Sequence, residues 1–520
     1  MKVFESIRGY IPWIFLTVFY WTACIWFMPS QFVDLGGDSA QYITLAESFL
    51  KGQPFRMINY PSAPVSTLYP PLFPLMLLVP VSVLGRDFLA LHFLGALAGF
   101  GALIYLYRLF LRYTGLKTAF FIVLYCSLNW AVILYSSAYI LSDIPFLFFS
   151  AFALYSAARY SQENRMSFVT GIILCLGIML SYFTRYIGIA LGAGILCALA
   201  QAQQSRILRF KKIIFVSVLF GIIVMVWKII MAYLSAQNYS HMNYFIVLNP
   251  YVPEKGLLSD NPWYLVLRII EGINYHFTQA RDVFFLFISR QWVWARDVSG
   301  LCVLICSFTG FWKTWKENRG CVFHYYFIFY LAIIVMWPYK EGVRFLIPVI
   351  PFIAYYCFSG AAFAAGLIFK KWKSRAIYIG AGLMIAVSLV NLAVAWTLTP
   401  RNTLDLPPYY RNFITVHEWL KNNTLESAVV MSRKPTITYF LSGRKAIGIP
   451  FTLNQGEIKK IIADNSVLFI VLDEFSEETF RYLRPFLVHQ GKDFIPVFHS
   501  GGTYIVALKS ESGGVTGAVR

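Results

Sequence analysis

The chain has 520 residues, 58% hydrophobic and 13% charged, with 44 Lys and Arg against 25 Asp and Glu for a net charge of +19. Its mean hydropathy of +0.61 excludes an ordinary soluble protein. The basic residues are dispersed among short loops, which excludes a nucleic-acid-binding face and leaves the lipid bilayer, with its anionic headgroups, as their partner.

A membrane-crossing helix needs about 20 mostly apolar residues. In chain order, runs that qualify fall near 11–29, 87–110, 117–135, 144–160, 167–184, 186–204, 213–234, 298–312, 321–337, 343–369 and 376–398, about eleven in all. The 298–312 run is short, so its start is expected upstream, among residues 284–294. The first run follows Lys2 and Arg8 and carries no small-residue cleavage site, so it is expected to stay as a signal-anchor with a cytoplasmic N-terminus. Alternation then requires the cytoplasmic loops to be basic. They are: Arg108, Arg112 and Lys117; Arg159 and Arg165; Arg206, Arg209, Lys211 and Lys212; Lys313, Lys316 and Arg319; Lys370, Lys371, Lys373 and Arg375. The expectation is a multi-pass inner (plasma) membrane protein whose C-terminal region is extracytoplasmic.

Three segments fall outside the bilayer on this topology. In 30–86, Asp38 is placed to cap a helix running to Leu50, with Gln41 at the third position and an apolar face of Tyr42, Leu45, Ala46 and Phe49. Tyr69-Pro70-Pro71-Leu72 then opens an apolar stretch to Leu84 that is too short to span, giving a second interfacial helix. The 235–297 segment is polar and aromatic, with His241 and an amphipathic stretch near 263–277. Composition changes after Pro400. Strand-like runs at 428–431, 467–472 and 504–508 alternate with helix-like runs at 412–421, 457–463 and 477–487, giving a small α/β domain. The division is therefore 1–399, membrane-embedded, and 400–520, an extracytoplasmic α/β domain. All eight cysteines fall in or beside apolar runs, without disulfide or metal-type spacing, and act as small hydrophobes.

Charged residues at the mouths of spans are expensive and point to a site. Asp38, Asp143, Arg185 and Arg344 all lie on the outer face by the alternation above, with Lys340 and Glu341 beside Arg344. Each has a bland alternative: caps for the two aspartates, snorkelling for Arg185, and an i,i+3 pair with Glu341 for Arg344. Their shared face favours chemistry. Outside the membrane there is no ATP and no nucleotide-sugar pool, so group transfer there must draw on a lipid-linked donor. Such an enzyme presents a carboxylate to an acceptor hydroxyl and cations to a departing polyprenyl phosphate. Asp38, with Asp143, suits the carboxylate role, either as base or as ligand of a divalent metal (Mg, Mn or Zn). Arg185, Arg344 and Lys340 suit the phosphate. Tyr42, Tyr69, Glu341 and His241 are further cleft candidates, whereas His276 and His324 stand alone and are expected to be structural.

At these residues the chain resembles the GT-C polytopic glycosyltransferases that use polyprenyl-phosphate sugars, nearest the protein-O-mannosyltransferase branch (glycosyltransferase family 39) and the aminoarabinose transferase acting on lipid A. The family's outer-loop helix, D-x-A-x-Y-x-x-x-A, stands here as Asp38-Ser39-Ala40-Gln41-Tyr42-Ile43-Thr44-Leu45-Ala46. Tyr69-Pro70-Pro71-Leu72, Ser142-Asp143-Ile144-Pro145, Arg185 and Arg344-Phe345-Leu346-Ile347-Pro348 follow in the family's order. Ser39 replaces a frequent Glu, which removes the paired carboxylate. The resemblance implies inverting transfer from a polyprenyl-phosphate (undecaprenyl-phosphate) sugar to a protein, lipid or glycan acceptor, with Asp38 as base or metal-linked activator and the arginines on the phosphate. The competing classes are a lipid-linked oligosaccharide polymerase or ligase, which would centre on an Arg- and His-rich outer loop, and a polyprenyl-lipid transporter, which would carry repeats and mid-membrane charges.

Overall fold

In a computed structural model, residues 2–234, 247, 257–261, 263–288, 291–368 and 373–509 are described. His241 and most of the 235–262 stretch lie outside these residues.

Each apolar run named above is built mainly of helix over its described residues. The helices are α1 (Lys2–Phe27), α4 (Phe88–Leu111), α5 (Leu116–Leu128), α6 (Trp130–Ser137), α7 (Asp143–Gln162), α8 (Phe168–Thr184), α9 (Ile189–Ala200), α10 (Arg206–Leu234), α12 (Val293–Glu317), α13 (Val322–Met336), α14 (Ile350–Ile368) and α15 (Lys373–Leu398). Outside this set lie α2 (Asp38–Leu50), α3 (Leu72–Leu84) and the amphipathic α11 (Trp263–Phe285). The start of α12 at Val293 places its first turn upstream, as the short 298–312 run required.

Among the described residues, five helical segments are long and apolar enough by themselves to cross a membrane: Phe88–Leu111, Arg206–Leu234, Val293–Glu317, Gly342–Leu367 and Tyr378–Leu398. The α5–α6 pair, bent by 56°, makes a sixth if it is one span. Asn129 sits at that bend and closes it chemically. Its side-chain oxygen accepts from Ala131 N at 3.1 Å and Val132 N at 3.4 Å, which satisfies two of the backbone donors freed by the break. The remaining apolar helical stretches are shorter, such as the 13 residues of α3 and the 15 of α13. The helices share one core, from Leu16 and Tyr20 through Phe146 and Tyr326 to Tyr356.

After α15 come α16 (Pro408–Asn423), α17 (Pro435–Ser442), α18 (Gln455–Asp464) and α19 (Arg484–His489), with β1 (Val429–Met431), β2 (Lys445–Ile447), β3 (Val467–Leu472), β4 (Phe494–Ser500) and β5 (Thr503–Leu508). The strands form one mixed sheet in the order β2-β1-β3-β5-β4, with β1 parallel to both β2 and β3 and the β3–β5–β4 part antiparallel. Phe469 pairs with Ala507 in the centre. The sheet and helices therefore build the expected α/β region, but its core does not stop at the sheet. Phe413, Val416, Phe440, Phe469 and Ile505 pack in one cluster with Phe32, Tyr42, Ile43, Phe73 and Leu77 of the 30–86 segment. Consequently α2 is buried all round rather than along one stripe, from Ser39 to Ala46 and again at Ser48.

Polar contacts fix the same interface. Arg86 holds Glu47 through a fork of 2.6 and 2.9 Å and donates to the Phe440 carbonyl at 2.9 Å. Thr436 donates to Gln41 Oε1 at 2.6 Å and accepts from Asn59 at 3.1 Å. A buried chain of this kind registers the two parts more tightly than apolar packing alone.

Candidate active site

Neither aspartate acts as a cap. Gly37, at φ +107°, is the cap residue of α2, and Asp38 is the first helical residue, with its carboxyl turned away from the backbone. Gln41 does not complete a capping box, since its side chain goes to Thr436. Likewise Ser142 precedes α7 and Asp143 is its first helical residue. Two side chains well suited to capping are thus released for other partners, although both still benefit from the positive end of a helix.

Those partners are arginines. Arg344 donates through Nε to Asp143 Oδ2 at 2.7 Å and through Nη1 to Asp38 Oδ2 at 2.5 Å. Arg185 donates through Nη1 to Asp143 Oδ1. Tyr69 Oη donates to Asp38 Oδ1 at 2.7 Å. Glu341 Oε2 stands 3.4 Å from Arg344 Nη1. Tyr42 Oη pairs with Ser142 Oγ at 2.8 Å, and its ring packs edge-on against Tyr69. The four charged residues singled out from sequence, which lie on four separate segments, form one connected network. Side-chain exposure rises from 1% at Asp143 through 9% at Arg344 to 31% at Asp38, so the cluster opens at Asp38.

Local backbone breaks make this convergence. Gly342, at φ +67°, starts a run of 3-10 turns to Val349 that includes Pro348. Such runs are uncommon at this length because their hydrogen bonds are poor. Here Tyr275 Oη accepts from Gly342 N at 2.5 Å and Tyr330 Oη donates to the Phe345 carbonyl at 2.9 Å, holding the turn on both sides of Arg344. Arg185 is extended between α8 and the 3-10 turn Tyr186–Gly188, and its guanidinium lies over the Phe345 ring at 5.7 Å. A Cβ at Gly188 would sit 2.8 Å from the Cα and N of Tyr182. Gly188→Ala is therefore expected to cost about 1–3 kcal/mol and to displace Arg185. A lowered apparent melting temperature of the purified protein is the expected result. An unchanged melting curve would contradict it.

Two residues of the site carried no signal that sequence reasoning used. Asp34 accepts a hydrogen bond from the Ser39 hydroxyl and another from Gly36 N at 2.9 Å. Ser39, which stands where the family often has Glu, thus orients a second carboxylate supplied from upstream. An acid four residues before Asp38 was the available clue. Lys434, between β1 and α17, lays its stem across Gly37, with Cδ 3.5 Å and Nζ 3.9 Å from where a Cβ would stand. Nothing in its sequence neighbourhood marks it. The other candidates separate. Lys340 is exposed and lies over the Tyr275 ring at 5.8 Å, with no ion pair within 4 Å among the described residues. His276 and His324 are buried against the Ile334 carbonyl at 3.0 Å and Tyr356 Oη at 2.8 Å, which are structural placements.

The electrostatics divide the acids. Burial raises the Asp38 carboxyl, but the Arg344 guanidinium, the Tyr69 hydroxyl and the Lys434 charge outweigh it and hold the group below its ordinary range. Burial pushes the neighbouring Asp34 up, and its hydrogen bonds to Ser39 and Gly36 only partly oppose this. Burial and the Asp38 charge raise both tyrosines, Tyr42 to about 12 and Tyr69 further. Both phenols therefore stay protonated donors. A divalent ion fits this donor set poorly. Both oxygens of Asp143 and of Asp38 already have donors, and among the described residues no group of three or more His, Cys, Asp or Glu is arranged for a metal. Guanidinium charge already does the neutralising that a cation would do.

A family profile described as dolichyl-phosphate-mannose-protein mannosyltransferase matches residues 69–230, a stretch that contains Tyr69, Asp143 and Arg185. No curated protein matches the chain by sequence. Among solved structures, ArnT from Cupriavidus metallidurans bound to undecaprenyl phosphate is 11% identical, with 98% of this chain and 100% of that one covered and a TM-score of 0.59. The oligosaccharyltransferase AglB from Archaeoglobus fulgidus, in complex with an inhibitory peptide and a dolichol-phosphate, is 12% identical over 89% of this chain and 69% of that one, with a TM-score of 0.55. The Archaeoglobus fulgidus oligosaccharyltransferase in complex with Zn and sulfate gives 13%, 88%, 67% and 0.59 in the same order. At these identities the likeness is one of fold.

Proposed function

We propose, from the premise that this chain is a member of the GT-C superfamily of glycosyltransferases, that it moves a sugar from a polyprenyl-phosphate donor to an acceptor hydroxyl outside the membrane. One observation carries this reading: the single guanidinium of Arg344 bridges two helix-opening carboxylates, with Arg185 behind it. An undecaprenyl- or dolichyl-type phosphate in the relatives' structures supports the donor class. The topology that goes with it has about eleven crossings, a cytoplasmic N-terminus and an extracytoplasmic C-terminal region.

Asp38 is the acceptor-side carboxylate. Without donor, Arg344 occupies it. A donor phosphate competes for the guanidinium fork, which binds phosphate at least as well as carboxylate. Asp38 then loses its cation, burial dominates, and its basicity rises as the substrate arrives. The acceptor O–H gives its proton to Asp38 while its oxygen bonds to C1 of the sugar. The C1–O bond to phosphate breaks on the opposite face, its electron pair leaves with the polyprenyl phosphate, and Arg185 and Arg344 hold that charge. Configuration inverts. No step is assigned to a metal, because the carboxylates that would hold it are already paired with arginine.

The pH dependence follows from the direction of the Asp38 shift. In the free enzyme the carboxyl lies below its ordinary value of 3.8, so the pairing is intact above that pH and is lost only as pH falls through the depressed value. With donor bound the value is higher. The acid limb of kcat is therefore expected at higher pH than that of kcat/KM, since the first reports the complex and the second the free enzyme. Coincident limbs would remove the exchange at Arg344. The test of the function itself is reconstitution with an undecaprenyl-phosphate-linked sugar. One polyprenyl phosphate released per sugar transferred is expected, and no release with any of aminoarabinosyl, mannosyl or arabinosyl donors would count against it.

A further inference from the structure

We propose that Lys434, contributed by the C-terminal region, is a donor-phosphate ligand, so that this region completes the binding site. The inference rests on the function proposed above.

Two of the three cations named from sequence are already committed to carboxylates, and the third, Lys340, lies over the Tyr275 ring at 5.8 Å. Arg344 serves Asp38, Asp143 and Glu341, and Arg185 serves Asp143. Lys434 differs. Its ammonium interacts with the charges of Asp38 and Glu341 but, among the described residues, makes no hydrogen bond and no ion pair within 4 Å. A half-buried ammonium close to two carboxylates and paired with neither has three donors to offer. It stands at the open, Asp38 end of the cluster, where a ligand arriving from the bilayer would enter.

Its position is fixed, which argues against an incidental surface lysine. Pro435 opens α17 directly after it, restricting the backbone, and Thr436 is tied to Gln41 and Asn59. Ala446 N of the neighbouring strand donates to the Asn59 carbonyl at 2.8 Å. The stem crosses Gly37, where the absence of a side chain leaves the path to Asp38 open. Burial and the adjacent Arg433 lower its basicity, a strain that an incoming phosphate would relieve. A phosphate therefore gains from Lys434 a charge that needs no release from a carboxylate first, in contrast to Arg344.

The test is equilibrium binding of undecaprenyl phosphate to the purified full chain in nanodiscs, with undecaprenol as the uncharged control. Lys434→Ala and Lys434→Met, the second keeping the apolar stem, are expected to bind the phosphate about tenfold more weakly, the effect of about 1.4 kcal/mol, and the alcohol unchanged. Lys434→Arg should recover most of the affinity. Lys51→Ala, at a lysine that bonds Tyr439 on the same interface at 3.0 Å, should have no effect. Wild-type affinity in both Lys434→Ala and Lys434→Met would overturn the inference alone, as would an acid limb that moves while lipid affinity stays put, the mark of a mere electrostatic neighbour of Asp38. Failure of the wild type to prefer the phosphate over the alcohol would overturn the proposed function together with it.

Discussion

Asp38→Asn is expected to reduce transfer about 10³-fold while the protein still folds and binds its lipid. Loss of a positioned base removes roughly 10²–10⁴ in rate. The substitution keeps the shape and can still accept from Tyr69. It strands no charge, because Arg344 retains Asp143 at 2.7 Å and Glu341 at 3.4 Å. The Asp38 side chain is about one-third exposed, so the stability lost with its ion pair is held to about 1 kcal/mol by solvent screening. Donor affinity should stay equal or rise, since the phosphate no longer competes with a carboxylate for Arg344. The measurement is kcat with donor Kd on the same preparation. A rate within a few-fold of wild type would remove Asp38 from the chemistry.

Arg344 should show the opposite pattern, with binding and stability failing together. Arg344→Ala leaves the fully buried Asp143 with Arg185 alone and leaves Asp38 with Tyr69. Removing one partner of a buried ionic network costs about 3–5 kcal/mol. That variant is expected to lose much of its apparent thermal stability. Arg344→Lys separates the effects. It keeps the charge but cannot bridge two carboxylates with one planar fork. We expect it to fold and to lose about 10²–10³ in kcat/KM, the scale of a 2–4 kcal/mol donor to a developing anion, with Kd for undecaprenyl phosphate raised. Full activity in Arg344→Lys would show that only a point charge is needed there.

Much of this site was readable in the sequence, and the reason is physical. Asp38, Asp143, Arg185 and Arg344 are costly where they stand, so each is an anomaly against an apolar background, and the alternation of basic loops assigns them to one side. The helices followed from the same contrast, down to Leu84 as the end of α3. What was misread is what backbone geometry decides. The cap of α2 passed to Gly37 because its left-handed φ turns the chain just before Asp38. Lys340 stands close to Arg344 in sequence, but Gly342, also left-handed, turns the chain between them and leaves the lysine outside. β2, with three residues, is too short to display a period, and Pro496 interrupts the alternation in β4. Lys434 was invisible for a different reason: its role comes only from the docking of the C-terminal region on α2, through Thr436, Gln41 and Asn59. Nothing local to residue 434 encodes that contact.

The most direct measurement is the ³¹P resonance of undecaprenyl phosphate bound to the wild-type chain and to Arg344→Lys in matched nanodiscs. The account predicts a shifted, saturable bound signal in the wild type that weakens in the variant and is restored by neither Mg nor Zn. A bound signal identical in the two proteins would contradict the claim that this arginine grips the lipid's phosphate.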